Sequence, residues 1–310
     1  MSAAHESSPP LPRERVPYSA IVDRPPLPLP GGARMAVWTI VNVEDWGIER
    51  PMPRTVLSPP MGQPLLPDLP NWAWHEYGMR VGFWRLHACM KAFGITPTFA
   101  INGVVCKNYP RVAQAALDSG WEFMGHGYFQ GPMHKVEDEP RAIADTIEAI
   151  RSFTGRAPRG WESPGLTETA RTIDHLAAAG IEYVADWVLD DQPVPIQTSH
   201  GTVISVPYTV ELNDITMMAL QHHRGDEMYL RGVEHFDRLY EDSADITRVM
   251  AISVHPYISG VPHRIGYLEK LYRHILSKPG VVMWTGEQIM DWYRTTSGCG
   301  TVQQPAISRR

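Results

Sequence analysis

The chain has 310 residues, 43% of them hydrophobic and 20% charged, with a formal net charge of -6. That length buries a substantial core in one barrel-sized domain or two smaller ones. The acidic balance, without any long Lys/Arg cluster, argues against a nucleic-acid partner, because such binding rests on counterion release at a basic face.

The chain opens on a proline-rich segment, residues 1–34, read as an extended arm; its first residues lack the apolar core of a signal peptide. Met35–Val43 is a buried strand candidate. A second proline-rich stretch, Pro51 to Pro70, is too long for an ordinary connector and reads as a functional loop or an interface. His75–Phe93 has helical periodicity and stops at Gly94; Pro97–Ile101 reads as strand, Pro110–Ser119 as helix and Trp121–Gly125 as strand. A charged turn, Glu137-Asp138-Glu139-Pro140, opens a helix running to about Phe153. Then follow strand Arg159–Glu162, helix Glu168–Ala179, strand Ile181–Asp186 and a strand-like Val203–Tyr208. Helix Glu227–Tyr240, strand Met250–His255, helix Gly266–Ser277, strand Val281–Trp284 and helix Glu287–Arg294 complete the series, with residues 299–310 as a tail. Strands separated by helices imply a mainly parallel sheet, and this many units suggests closure into a barrel over residues 35–298.

No stretch approaches the roughly 18 apolar residues of a membrane span, so no membrane partner is expected. Cys89, Cys106 and Cys299 are far apart with no Cys-x-x-Cys pair. That argues against a disulfide framework and a zinc knuckle, and favours reduced thiols in the cytoplasm. No Gly-rich phosphate loop opens any helix.

The chemistry gathers at strand ends. Glu44-Asp45 follow the first strand, His126 the Trp121–Gly125 strand, Glu162 the Arg159-Gly160-Trp161 segment, Asp186 its own strand and His255 another. In parallel β/α folds the loops of many units converge at the C-terminal ends of strands, where active sites form. Each residue alone has a plainer reading: a carboxylate after a strand is commonly a cap or turn residue, and a single buried His commonly a bonded core residue.

In order, these segments resemble the motifs of carbohydrate esterase family 4, the polysaccharide deacetylases. Val43-Glu44-Asp45-Trp46-Gly47 resembles the family's paired acid, general base then metal ligand. Gly125-His126-Gly127-Tyr128-Phe129-Gln130 keeps the first of two metal-binding histidines and has Gln130 in place of the second. Arg159-Gly160-Trp161-Glu162-Ser163-Pro164-Gly165, Asp186-Trp187 and Ser253-Val254-His255-Pro256 resemble the third, fourth and last motifs. The Tyr183–Trp187 segment with Asp190-Asp191-Gln192-Pro193, and the long insertion after the first motif, are similar to the intracellular allantoinase and cyclic-imide hydrolase branch.

The resemblance implies an irregular (β/α) barrel of the NodB-homology type with about seven parallel strands. It implies hydrolysis of a carbon–nitrogen bond in a small, cyclic amide, by a cytosolic homo-oligomer, a dimer or tetramer. Glu44, Asp45, His126 and His255 are the catalytic candidates. Trp46, Arg159, Trp161, Glu162, Asp186 and Trp187 are the substrate-binding candidates, although the tryptophans equally suit packing and Arg159 a structural ion pair. Two mechanisms stay open. In one, Asp45 and His126 hold Zn²⁺ with His134 as a third ligand, and Glu44 deprotonates the bound water. In the other, an acid activates water without a metal while His126 and His255 share the acid and oxyanion roles. His222-His223 and His263 are set aside, since adjacent side chains point apart. Two rivals remain: a metal-dependent N-deacetylase of amino-sugar oligomers or peptidoglycan, and an inactive relative serving binding or assembly.

Overall fold

A computed structural model describes residues 8–299. Among them nine strands form one sheet, eight mutually parallel and one antiparallel. The arm contributes a short helix α1 (Pro12–Arg15). Next come β1 (Met35–Val43), α2 (Leu69–Tyr77), α3 (Phe83–Phe93), β2 (Thr98–Ile101), α4 (Val105–Asn108), α5 (Pro110–Asp118) and β3 (Glu122–Gly125). The middle of the chain supplies α6 (Glu139–Thr154), β4 (Gly160–Trp161), α7 (Thr172–Ala178), β5 (Tyr183–Val184), β6 (Val194–Thr198) and β7 (Gly201–Ser205). It ends with α8 (Glu227–Asp242), β8 (Arg248–Val254), α9 (Pro262–Leu276), β9 (Val281–Met283) and α10 (Gly286–Ser297).

All nine residues of β1 are buried, as its near-continuous apolar run requires of a parallel strand covered on both faces. It pairs with β8 along Met35–Val41, with β9 at Met35–Val37 and with β2 at Ile40–Val43. The order β6-β7-β5-β4-β3-β2-β1-β8 leaves the barrel open between its ends. Loops stitch that opening: Val249 N–H donates to Asp191 O (2.8 Å) and Ser253 N–H to Leu212 O (3.0 Å). The sheet is an irregular barrel rather than a regular closed one.

Asp138 caps α6, accepting from Arg141 N–H, and Gly155 ends it in the left-handed region. The helix expected over His75–Phe93 begins earlier, at Leu69, under an Asp68 cap. A π-helical turn, Gly78–Gly82, lies between α2 and α3. A Cβ at Gly82 would collide with the Pro256 carbonyl, and one at Gly78 would lie 2.6 Å from Tyr257 N. Those two glycines let the helix press its backbone against the His255-Pro256-Tyr257 segment.

Other elements also differ from expectation. β6 is an antiparallel strand carrying Pro195 in its middle, and such a residue is tolerated at an edge. The helix expected from Glu168 starts at Thr172, and the strand expected over Val203–Tyr208 is shifted to Gly201–Ser205. The arm lies along its own barrel. Arg15 donates to Asp174 Oδ1 (3.0 Å) and Oδ2 (2.5 Å), Arg24 pairs with Asp190 (2.6 Å), and Trp292 Nε1–H donates to Pro28 O (2.9 Å). No helix among the described residues is long and apolar enough to cross a membrane. The tail from residue 300 onward lies outside the described residues.

Candidate active site

The ends of β1, β3, β4 and β8 bring Glu44, His126, Glu162 and His255 to one cavity of about 410 Å³. Glu44 is almost fully buried and satisfied on both oxygens. Trp46 Nε1–H donates to Oε2 (2.8 Å) and Gln130 Nε2–H to Oε1 (2.8 Å). Trp46 in turn is clamped between His75, stacked at 4.6 Å, and the Tyr257 ring at 5.1 Å. The Nε2 atoms of His126 and His255 lie 3.8 and 3.7 Å from the same oxygen, Glu44 Oε1. Burial by itself would raise the Glu44 pKa, but the two imidazoles and the Trp46 bond outweigh it and hold the carboxyl at about 2.

Each imidazole is oriented from behind. His126 Nδ1–H donates to Glu162 O (2.8 Å), and Gly127, at φ +72°, turns the chain sharply beside the ring. His255 Nδ1–H donates to Asp214 Oδ1 (2.7 Å), while Asp214 Oδ2 accepts from the His255 backbone N–H (2.7 Å) and from Ser259 Oγ–H (2.6 Å). Burial lowers both imidazole pKa values, yet the net direction is up, through Glu44 and Glu162 at His126 and through Asp214, Glu44 and Glu162 at His255.

Glu162 behaves oppositely to Glu44. Burial pushes its carboxyl up to about 7, with Asp186 adding to the rise and the imidazoles opposing it. Tyr208 O–H donates to its Oε1 (3.0 Å), and the Asn42 amide, oriented to suit its neighbours, reaches both of its oxygens at 3.1 Å while accepting from Ser253 Oγ–H. One cavity therefore holds a firmly ionised carboxylate and a second carboxyl that titrates near neutrality, a separation typical of acid–base sites.

The other expected residues lie elsewhere. Asp45 does not line the cavity; its backbone N–H donates to Asn102 Oδ1 (2.9 Å) and its Oδ2 accepts from Asn108 Nδ2–H (2.6 Å). Burial, then Glu76 and Glu49, raise its pKa against the Asn108 bond. Arg159 sits at the opposite end of β4, bound to Glu182, Glu287 and Asp291. Trp161 is wholly buried and donates to Ser163 Oγ (3.0 Å); Asp186 accepts from Ser163 N–H (2.6 Å) behind Glu162. Trp187 donates to Glu168 Oε1 (3.0 Å) and faces a second, more apolar cavity beneath the arm. Asp214, Tyr208 and Asn213 carry no strand-end signal in the sequence because they stand three to nine residues along the loop beyond β7 rather than directly at its end.

The metal expected on Asp45, His126 and His134 does not match the donors present. Asp45 is turned to Asn108, His134 stands exposed on a turn outside the cavity, and Gln130 directs an amide donor at Glu44. Among the described residues no three His, Cys, Asp or Glu side chains are grouped to hold a metal ion.

This arrangement has known relatives. The family model described as polysaccharide deacetylase matches residues 75–184, from α2 to β5. Residues 75–184 thus resemble a polysaccharide deacetylase domain. A Schizosaccharomyces pombe protein that bears the polysaccharide deacetylase name is 29% identical over 294 residues, covering 84% of this chain and 91% of that one. Among solved structures, PuuE allantoinase is 25% identical with TM-score 0.80, covering 93% of this chain and 98% of its own. A Pseudomonas aeruginosa PAO1 structure, also bearing the polysaccharide deacetylase name, is 27% identical with TM-score 0.78, covering 88% and 95%. Here the strand ends hold two imidazoles around one carboxylate.

Proposed function

We propose that the protein hydrolyses a carbon–nitrogen bond in a small cyclic amide of the allantoin, hydantoin or imide type, without a catalytic metal. The observation that carries this reading is the Glu44 carboxylate between the His126 and His255 imidazoles, capped by the Gln130 amide. A cavity of about 410 Å³ suits a small ring better than a polymer, and the likeness to PuuE allantoinase supports the same choice. Ring strain in a cyclic amide lowers the demand on the enzyme.

Glu44, near pKa 2, is a weak base; its part is to keep both neighbouring rings protonated. Glu162, near 7, is matched to remove a proton from the attacking water. The His126 imidazolium then offers its Nε2–H to the developing oxyanion, and His255, held by Asp214, delivers a proton to the departing nitrogen. The three cysteines are free, which supports a reducing, cytoplasmic setting. Exposed Val56, Leu57, Met61, Leu65 and Leu66 on the proline-rich insertion support assembly into a homo-oligomer.

The test assays purified protein against hydantoin, allantoin and succinimide beside N-acetylglucosamine oligomers. Ring opening without acetate release is expected; acetate release from the oligomers alone would overturn the proposal.

A further inference from the structure

We infer that Arg54 forms a carboxylate-binding subsite in the cavity, so that the favoured substrate is a small amide carrying a carboxylate away from the scissile bond. This rests on the amide-hydrolase reading above and names its substrate class. Arg54 lines the same cavity as Glu44, His126, Glu162 and His255. Its charge also acts on the Tyr257 phenol, whose O–H lies 3.5 Å from Glu44 Oε2, which places the guanidinium in electrostatic reach of the reacting groups.

Two features set this arginine apart. The first is its lack of a partner. Among the described residues, Arg15, Arg24, Arg34, Arg85, Arg159, Arg231, Arg248, Arg264 and Arg294 are buried or half-buried, and every one donates a hydrogen bond. Arg54 is half-buried too, yet it makes no hydrogen bond or ion pair with any described residue. Partly desolvating a five-donor cation without an acceptor is unfavourable, and a ligand acceptor removes the penalty. The second feature is a built backbone. On one side Met52 packs against the core and Pro53 fixes its own φ. On the other, the buried Asn71 side chain accepts from Val56 N–H (2.7 Å) and Leu57 N–H (3.0 Å) and donates to Leu57 O (2.9 Å). The guanidinium is thus presented from an anchored segment. A carboxylate matches its fork bidentately and neutralises its charge, which a neutral carbonyl or a sugar hydroxyl does not.

The experiment is calorimetric titration of hydantoin-5-acetate and of its neutral counterpart hydantoin-5-acetamide into the wild type, Arg54→Gln and Arg54→Lys. The wild type is expected to bind the carboxylate at least about 10-fold tighter than the amide. Arg54→Gln should lose that preference, Arg54→Lys should keep part of it, and the amide should bind all three alike. Equal binding of the two ligands to the wild type, an unchanged preference in Arg54→Gln, or binding of neither ligand each overturns the subsite. Parallel turnover assays separate the two readings: an Arg54-dependent carboxylate preference without any ring opening would sink the proposed reaction and leave the subsite standing.

Discussion

Replacing Glu44 by Gln keeps the shape of the site and removes the charge on which two imidazoles depend. Glu44 Oε1 lies 3.8 Å from His126 Nε2 and 3.7 Å from His255 Nε2, and Glu44 is only 6% exposed. At an effective dielectric of about 20, an ion pair at such a distance is worth about 4 kcal/mol, or about three pKa units on each ring. His126 leans on Glu44 and Glu162, and burial then drives it neutral. His255 keeps Asp214 and falls less. The expected result in Glu44→Gln is a large downward shift of the His126 pKa and a smaller one for His255, read by NMR titration of the ring resonances. Hydrolysis near neutral pH should fall by about 10²–10⁴-fold, the usual worth of positioned acid–base groups. An unchanged His126 titration would refute the electrostatic account, whatever happened to the rate.

Glu162→Gln should abolish the acid limb of the pH–rate profile, since the carboxyl must be ionised to act as base and titrates near 7. The same variant should be more stable in alkali. A carboxyl raised from 4.5 to about 7 in the fold leaves stability intact below 4.5 and costs it as pH rises through 7. The relief at pH 8 should reach up to about 3 kcal/mol in urea unfolding. Asp214→Asn should cut the rate by about 10²–10⁴-fold by releasing the His255 ring, with little change in KM. Because Gln130 and Asp45 leave no grouped metal ligands among the described residues, exhaustive dialysis against a chelator should leave hydrolysis unchanged; a loss restored by added zinc would contradict that.

Much of the molecule was legible in the order of its residues. The near-continuous apolar run of β1, the Asp138 cap of α6 and the glycines ending α3 and α6 announce their elements through local physics. Acids and imidazoles following strands marked Glu44, His126, Glu162 and His255 as neighbours, because a parallel sheet sends all its strand ends the same way. What local pattern could not carry was direction and partnership. Glu44 and Asp45 are adjacent, yet one faces the cavity and the other faces Asn108, because successive residues at a strand end point to opposite sides. Arg159 reads as a site residue until the sheet places it at the far end of β4, among three carboxylates. Asp214 stands 41 positions from His255 in the chain and 2.7 Å away in space. Burial raises both carboxyls; what separates Glu44 near 2 from Glu162 near 7 is the set of imidazole and indole partners around Glu44, which distant segments bring to it. The sequence by itself determined which chemical groups end the strands; only the tertiary structure decided which of them share one desolvated space, since that depends on side-chain direction and long-range packing.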